Sequence, residues 1–194
     1  MNTYSEFLDH KRIRHADTGI TVSPTAIHPA LFPFQRDITA WALKKGRAAI
    51  FADTGLGKTF MQLEWARLLG VPTLIVAPLS VARQTVRESH KIGVTVRYVR
   101  SQAEVAGDGI YITNYEMIDR FNPAYFGAVV LDESSILKSL DGKTRQALTS
   151  MFGNTPYRLA CTATPAPNDR SEIGNHAEFL GVCTMAEMLA MFFI

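Results

Sequence analysis

Ala52-Asp53-Thr54-Gly55-Leu56-Gly57-Lys58-Thr59 matches the pattern G-x-x-x-x-G-K-[ST] except at its first position, where Ala52 stands for Gly. A loop of this pattern wraps a phosphate tail in backbone N–H groups. Gly55 and Gly57 let the backbone turn and come close to the phosphates with no side chain in the way. Lys58 is placed to reach the β- and γ-phosphates, and the Thr59 hydroxyl to hold Mg²⁺. The apolar run Ala48-Ala49-Ile50-Phe51 reads as a buried strand before the loop. Residues 59–69 read as the helix after it, closed by Gly70. That order of strand, loop and helix distinguishes the stretch from a glycine-rich turn that merely contains Lys and Thr.

Outward from the loop, apolar runs alternate with helical patterns. Thr73-Leu74-Ile75-Val76-Ala77 is a short strand stopped by Pro78. Residues 81–91 read as a helix with Ser80 as its N-cap and Gly93 past its end. Val94-Thr95-Val96-Arg97-Tyr98-Val99, Ile110-Tyr111-Ile112-Thr113, Ala128-Val129-Val130-Leu131 and Arg158-Leu159-Ala160-Cys161-Thr162 supply further strands, and 144–152 another helix. Short, nearly continuous apolar strands separated by helices indicate an α/β fold: a mostly parallel sheet with helices on both faces. Ligands of such sheets bind at the carboxyl ends of the strands. Asp53 to Thr59, Pro78 to Ser80, Thr113-Asn114, Asp132-Glu133 and Thr162 to Thr164 are therefore expected on one edge.

Asp132-Glu133 follows four apolar residues. The first acid is suited to hold Mg²⁺ together with Thr59, and the second to orient and deprotonate an attacking water. A strand end keeps both carboxylates rigid. A surface acid pair is the plainer reading of such a dipeptide, and the phosphate loop upstream weighs against it.

The bulk numbers bound the rest. The chain has 194 residues, 47% of them hydrophobic, and a formal net charge of +2, an ordinary globular composition. A charge so near zero argues against binding of nucleic acid through the overall field but leaves room for a local basic surface. The run His10-Lys11-Arg12-Ile13-Arg14-His15 is the densest basic cluster, and it reads as a solvated segment. Cys161 and Cys183 lack C-x-x-C spacing and read as reduced, partly buried thiols. With no apolar stretch long enough for a membrane and no signal peptide, an intracellular location is expected.

These motifs resemble the N-terminal RecA-like lobe of helicase superfamily 2, and within it the SWI/SNF-type DNA translocases, including those of phages and bacteria. Leu31-Phe32-Pro33-Phe34-Gln35 is similar to the upstream glutamine motif, in which Gln35 would read the adenine edge with a donor and an acceptor. Asp53 to Thr59 is close to the family's D-E-x-G-L-G-K-T. Val76-Ala77-Pro78-Leu79-Ser80 is similar to motif Ia, and Ile112-Thr113-Asn114-Tyr115-Glu116 to motif Ib. Asp132-Glu133-Ser134-Ser135 occupies motif II, and Thr162-Ala163-Thr164-Pro165 resembles motif III.

The resemblance implies a P-loop NTPase lobe that binds ATP and Mg²⁺. Lys58, Asp132 and Glu133 would be catalytic. Gln35, Thr54, Gly55, Leu56, Gly57, Lys58 and Thr59 would bind nucleotide, and Thr59 and Asp132 the metal. Pro78, Ser80, Arg83, Thr113, Asn114 and Tyr115 would meet the backbone of DNA, expected to be double-stranded, with little sequence preference. Ser135, Thr162 and Thr164 would couple the nucleotide site to the DNA track.

The chain departs from the family at Thr54, where a Glu is usual, and at Ser134-Ser135, which replace the A-H or A-D of motif II. The fourth position, Ser135, usually links motif II to motif III by a hydrogen bond, and a hydroxyl can still make one. The organisation expected is a lead-in over 1–30, the lobe over 31–180 and an apolar helix-like tail over 181–194. The family's second RecA-like lobe, which supplies arginine fingers, is expected to follow in a longer protein. The function implied is a DNA-dependent ATPase that translocates on or remodels DNA, only weakly active as an isolated lobe. The alternatives are a non-catalytic nucleic-acid or partner-binding module that keeps the fold, and the motor segment of a restriction or repair complex.

Overall fold

The structure is a computed structural model that describes residues 16–138, 142–166 and 169–192. The basic run at 10–15 and the terminal Phe193 and Ile194 lie outside the described residues.

The expected strands form at β1 (Arg47–Phe51), β2 (Thr73–Ala77), β3 (Val96–Tyr98), β4 (Ile110–Asn114), β5 (Ala128–Asp132) and β6 (Tyr157–Thr162). They make one six-stranded sheet in the order β1-β6-β5-β2-β4-β3, and every pair is parallel. The register brings the strand ends level. Phe51 pairs with Thr162, Asp132 with Cys161, and Asn114 with Ala77. The phosphate loop, motif II and motif III therefore leave the sheet along one edge.

Side chains alternate between the faces with the period of two that a strand imposes. Ile50, Ile75, Ile112, Val130 and Leu159 pack with Leu43, Met61, Leu63, Trp65 and Ala82. Those partners come from α1 (Pro33–Lys45), α2 (Lys58–Leu69) and α3 (Leu79–Ser89). Leu74, Val76, Tyr111, Val129 and Leu131 pack on the other face with Leu148, Phe152, Phe179 and Leu180. There the cover is α4 (Gly142–Met151) and α5 (Ile173–Leu180), with α6 (Met185–Phe192) against α5. Burial on both faces explains why the strand sequences are apolar at nearly every position. Each fully buried Leu, Ile or Val contributes about 1.5–3 kcal/mol.

The helices differ from the sequence expectation in instructive ways. The helix α1 was not anticipated, although Pro33 sits in its first turn, Lys44 and Lys45 lie in its last, and Gly46 ends it. The N-cap of α3 is Pro78, not Ser80. Pro78 holds φ −56° and ψ 145°, and its carbonyl accepts from both Val81 and Ala82. The helix therefore begins at Leu79 and leaves Ser80 exposed inside its first turn. It also stops at Ser89, continuing to Gly93 as a short 3₁₀ turn. A second unanticipated helix, α5, lies in the stretch between motif III and the apolar tail. The tail is helical over Met185–Phe192, entered by Thr184, whose N–H donates to Glu187 Oε2 (2.8 Å) while its Oγ1 accepts the Glu187 N–H (3.2 Å).

The described part of the lead-in is anchored to the lobe at a few points, with Ile20 and Val22 packed against the core. Ile27 is buried, as is Leu31 at the start of the lobe. Glu64, buried on α2, accepts from the His28 N–H (2.6 Å) and from Arg67 (2.7 Å), and Arg67 also donates to the Ala26 carbonyl (2.8 Å). That pairing raises the pKa of the Arg67 guanidinium.

Candidate nucleotide site

The loop after β1 turns on two glycines with positive φ, Gly55 at 82° and Gly57 at 78°. At Gly57 the need for glycine is also spatial, because a Cβ there would lie 2.3 Å from Gln35 Nε2. Gln35 is buried and wires α1 to the loop. Its Oε1 accepts the Phe32 N–H (2.9 Å), and its Nε2 donates to the Leu56 carbonyl (2.9 Å). Asp53 Oδ1 accepts the Thr54 N–H (2.6 Å), and Lys58 Nζ donates to the carbonyls of Ala52 (2.9 Å) and Asp53 (3.3 Å).

A cleft of about 410 Å³ opens over this loop, lined by Thr54, Gly55, Gly57, Lys58 and Thr59, by Gln84, Thr85 and Glu88 of α3, and by Asp132 and Glu133. The fold thus brings together the loop and both motif II acids, from strands that are not neighbours in sequence. A larger cleft of about 990 Å³ lies around Arg145, Cys183 and Met185, between α4 and the α5–α6 turn, and no loop or motif II residue lines it. Chemistry, not size, selects the smaller one.

Asp132 is 3% exposed. Burial raises its pKa, opposed by the Gln62 hydrogen bond. Gln62 Nε2 donates to Asp132 Oδ2 (3.0 Å), and the Glu133 N–H donates to Oδ1 (3.1 Å). Asp132 and Thr59 are hard oxygen donors on one cleft, a set that fits Mg²⁺ completed by water and phosphate oxygens. The buried Oε1 of Gln62, on the amide that holds this carboxylate, has no hydrogen-bond partner, leaving an acceptor for an ordered water. Among the described residues no group of three or more His, Cys, Asp or Glu could hold a metal.

Glu133 adopts φ 50°, and among the described residues it is the one non-glycine with positive φ. Such a conformation costs on the order of 1–3 kcal/mol and persists only where neighbours hold it. The neighbours are identifiable. Tyr115 Oη donates to the Asp132 carbonyl (2.9 Å). Ser134 Oγ lies 3.0 Å from His176 Nε2. Burial pushes His176 down to about 4, so it is neutral at pH 7.

The remaining expected residues divide by exposure. Ser80 and Arg83 are exposed on α3, and Pro78 is half-buried at its start. Thr113, Asn114 and Tyr115 are buried, and Asn114 Nδ2 donates to Glu116 Oε2 (2.6 Å). The Tyr115 hydroxyl is engaged with motif II, donating to the Asp132 carbonyl. Thr162 Oγ1 accepts the Thr164 N–H (3.1 Å), and the Thr162 carbonyl accepts the Ala52 N–H (3.2 Å), joining motif III to the loop. Ser134, buried, meets His176 of α5, and Ser135 beside it is half-buried.

Sequence reading missed Gln62, Gln84, Glu88 and His176. Gln62 carried a signal, being a polar residue one helical turn beyond Lys58 on the face that packs against the sheet. His176 carried none, because its helix was not anticipated.

No family model matches the chain. Among curated proteins, it is 29% identical over 188 residues to the Mus musculus protein described as DNA annealing helicase and endonuclease ZRANB3, covering 84% of this chain and 17% of that protein. The Homo sapiens counterpart is 27% identical over 184 residues, with 85% and 17% covered. The chain therefore spans about a sixth of the length of these relatives. Among solved structures, the Sulfolobus solfataricus SWI2/SNF2 ATPase core in complex with dsDNA aligns with a TM-score of 0.74 at 21% identity, over 88% of this chain and 40% of that one. The UvsW helicase of bacteriophage T4 aligns with a TM-score of 0.61 at 13% identity, over 94% and 66%. The chain thus shares the fold of these ATPase and helicase cores, and in sequence it is similar to a segment of the ZRANB3 proteins only to the extent of that 27–29% identity.

Proposed function

We propose that this lobe binds Mg²⁺-ATP and hydrolyses it to ADP and phosphate as the N-terminal half of a motor that moves on or remodels duplex DNA. The observation that carries the reading is the convergence of Lys58, Thr59, Asp132 and Glu133 on one cleft at the carboxyl edge of the sheet. Backbone N–H groups of the loop and of the α2 N-terminus would cradle the phosphates, and the Lys58 ammonium would balance their charge. Thr59 and Asp132 would hold Mg²⁺, which offsets charge on the phosphate oxygens when bound. Glu133 would orient the attacking water and accept its proton. Gln35, on α1 beside the loop, would face the adenine with the Nε2 hydrogen that Leu56 leaves over.

DNA is the proposed track because the curated relatives are DNA-processing proteins by name and the archaeal core was solved with duplex DNA. Ser80 and Arg83, exposed at the start of α3, would meet phosphates, so binding would weaken as salt rises. A second RecA-like lobe would complete the cleft with arginine fingers.

The test is nucleotide binding and hydrolysis with and without duplex DNA. Lys58→Ala is expected to weaken binding of a fluorescent ATP analogue by at least about tenfold, the loss of one charge-assisted phosphate contact. Glu133→Gln is expected to keep binding while hydrolysis falls by roughly 10²-fold or more. Unchanged DNA-linked function in both variants would support the non-catalytic module instead.

A further inference from the structure

We propose that His176 of α5 is a positioning residue for ATP hydrolysis, holding Glu133 in its reactive conformation through Ser134; the proposal rests on the ATPase reading above. Ser134 is completely buried and His176 is 3% exposed. Their polar atoms meet at 3.0 Å. A bond between two buried neutral groups is shielded from competing water, and removing one partner leaves the other desolvated and unpaired.

The placement gives this bond a mechanical consequence. Ser134 directly follows Glu133, whose φ of 50° needs restraint from both sides. On the N-terminal side, Asp132 is fixed by Gln62 and Tyr115. On the C-terminal side, the His176 bond fixes Ser134. The imidazole also packs edge-on against Phe51, with ring centroids 5.2 Å apart and planes at 79°. Phe51 ends β1, directly before the phosphate loop. One side chain therefore touches the segment leading into the loop and motif II itself. This contact joins motif II to α5.

The experiment compares wild type with His176→Leu, Ser134→Ala, the double variant and His176→Gln, all in the complete chain. Single-turnover hydrolysis is measured with and without duplex DNA, together with the Kd for a fluorescent ATP analogue and folded content by circular dichroism. Expected is a fall in hydrolysis rate of about tenfold for each single variant, corresponding to loss of one buried hydrogen bond. Kd should stay within about twofold, because the affected contact matters in the transition state and not in ground-state binding. The double variant should be no slower than either single, and His176→Gln, whose amide can still bond Ser134, should recover most of the rate.

A second readout does not depend on turnover. The ¹⁵N resonance of His176 Nε2 should move on Ser134→Ala, and in wild type on addition of Mg²⁺-ADP. Wild-type hydrolysis in folded His176→Leu and Ser134→Ala overturns the proposal. So does a His176 resonance indifferent to both perturbations. A wild-type chain that binds no nucleotide overturns the ATPase reading itself, a result separable from both.

Discussion

Gln62 shows how much of the site hangs on a residue that touches no phosphate in the expected chemistry. Its amide is the side-chain donor to the Asp132 carboxylate, and that bond opposes the burial which raises the carboxyl pKa. Gln62→Leu removes the donor and keeps the volume. The Mg²⁺ concentration that half-saturates hydrolysis is then expected to rise about tenfold, measured by metal titration at saturating ATP, since supporting contacts of this kind tune metal affinity by 10–100-fold. His176 supplies a pH dependence at the same scale. Its folded pKa lies near 4 against an ordinary 6.5, because burial disfavours the imidazolium. Between these values the unfolded chain binds the extra proton, so stability is full above 6.5 and falls as pH drops towards 4. Urea midpoints measured from pH 7 to 4 should fall less steeply for His176→Gln than for wild type.

At the scale of the element, the phosphate loop contrasts two glycines with nearly the same φ. A Cβ at Gly55 meets nothing within 4 Å, whereas one at Gly57 would collide with the Gln35 amide at 2.3 Å. Gly55→Ala should therefore cost only the strain of its backbone, on the order of 1 kcal/mol. Gly57→Ala must in addition push Gln35 off the Leu56 carbonyl and loosen the joint between α1 and the loop. Urea denaturation should rank Gly57→Ala as the less stable, and analogue binding should weaken more for it than for Gly55→Ala. The entry to α3 gives a related lesson. Pro78 cannot donate and prefers an extended ψ, so it takes the cap and frees Ser80 for solvent.

For the whole molecule, the sheet order places β6 between β1 and β5, so motif III lies between the loop and motif II. The same layering secures the chain's entry to the lobe, since Glu64 and Arg67 clamp the segment around Ala26 and His28 onto α2. Glu64→Ala leaves Arg67 without its carboxylate and the His28 N–H without its acceptor. Proteolysis within residues 23–31 should then run at least several-fold faster than in wild type, with the β-sheet signal retained, because the opening is local. If this segment resists protease as well as wild type, the apolar contacts of Ile27 and Leu31 alone hold it.

The phosphate loop, the apolar strands, the acid pair and the parallel class were legible in the sequence because each is a local pattern. Glycine spacing and uninterrupted apolar runs constrain the backbone within a few residues. What holds the acids was not legible. Gln62 and Asp132 are 70 residues apart, Ser134 and His176 are 42, and Tyr115 and Asp132 are 17. The two unanticipated helices, α1 and α5, deliver the Gln35 and His176 side chains to the site. A hydrogen bond needs partners within about 3 Å, and only the packing of helices on both faces of the sheet brings these residues that close. The sequence by itself determined which groups carry the chemistry; the tertiary structure decided which groups aim them.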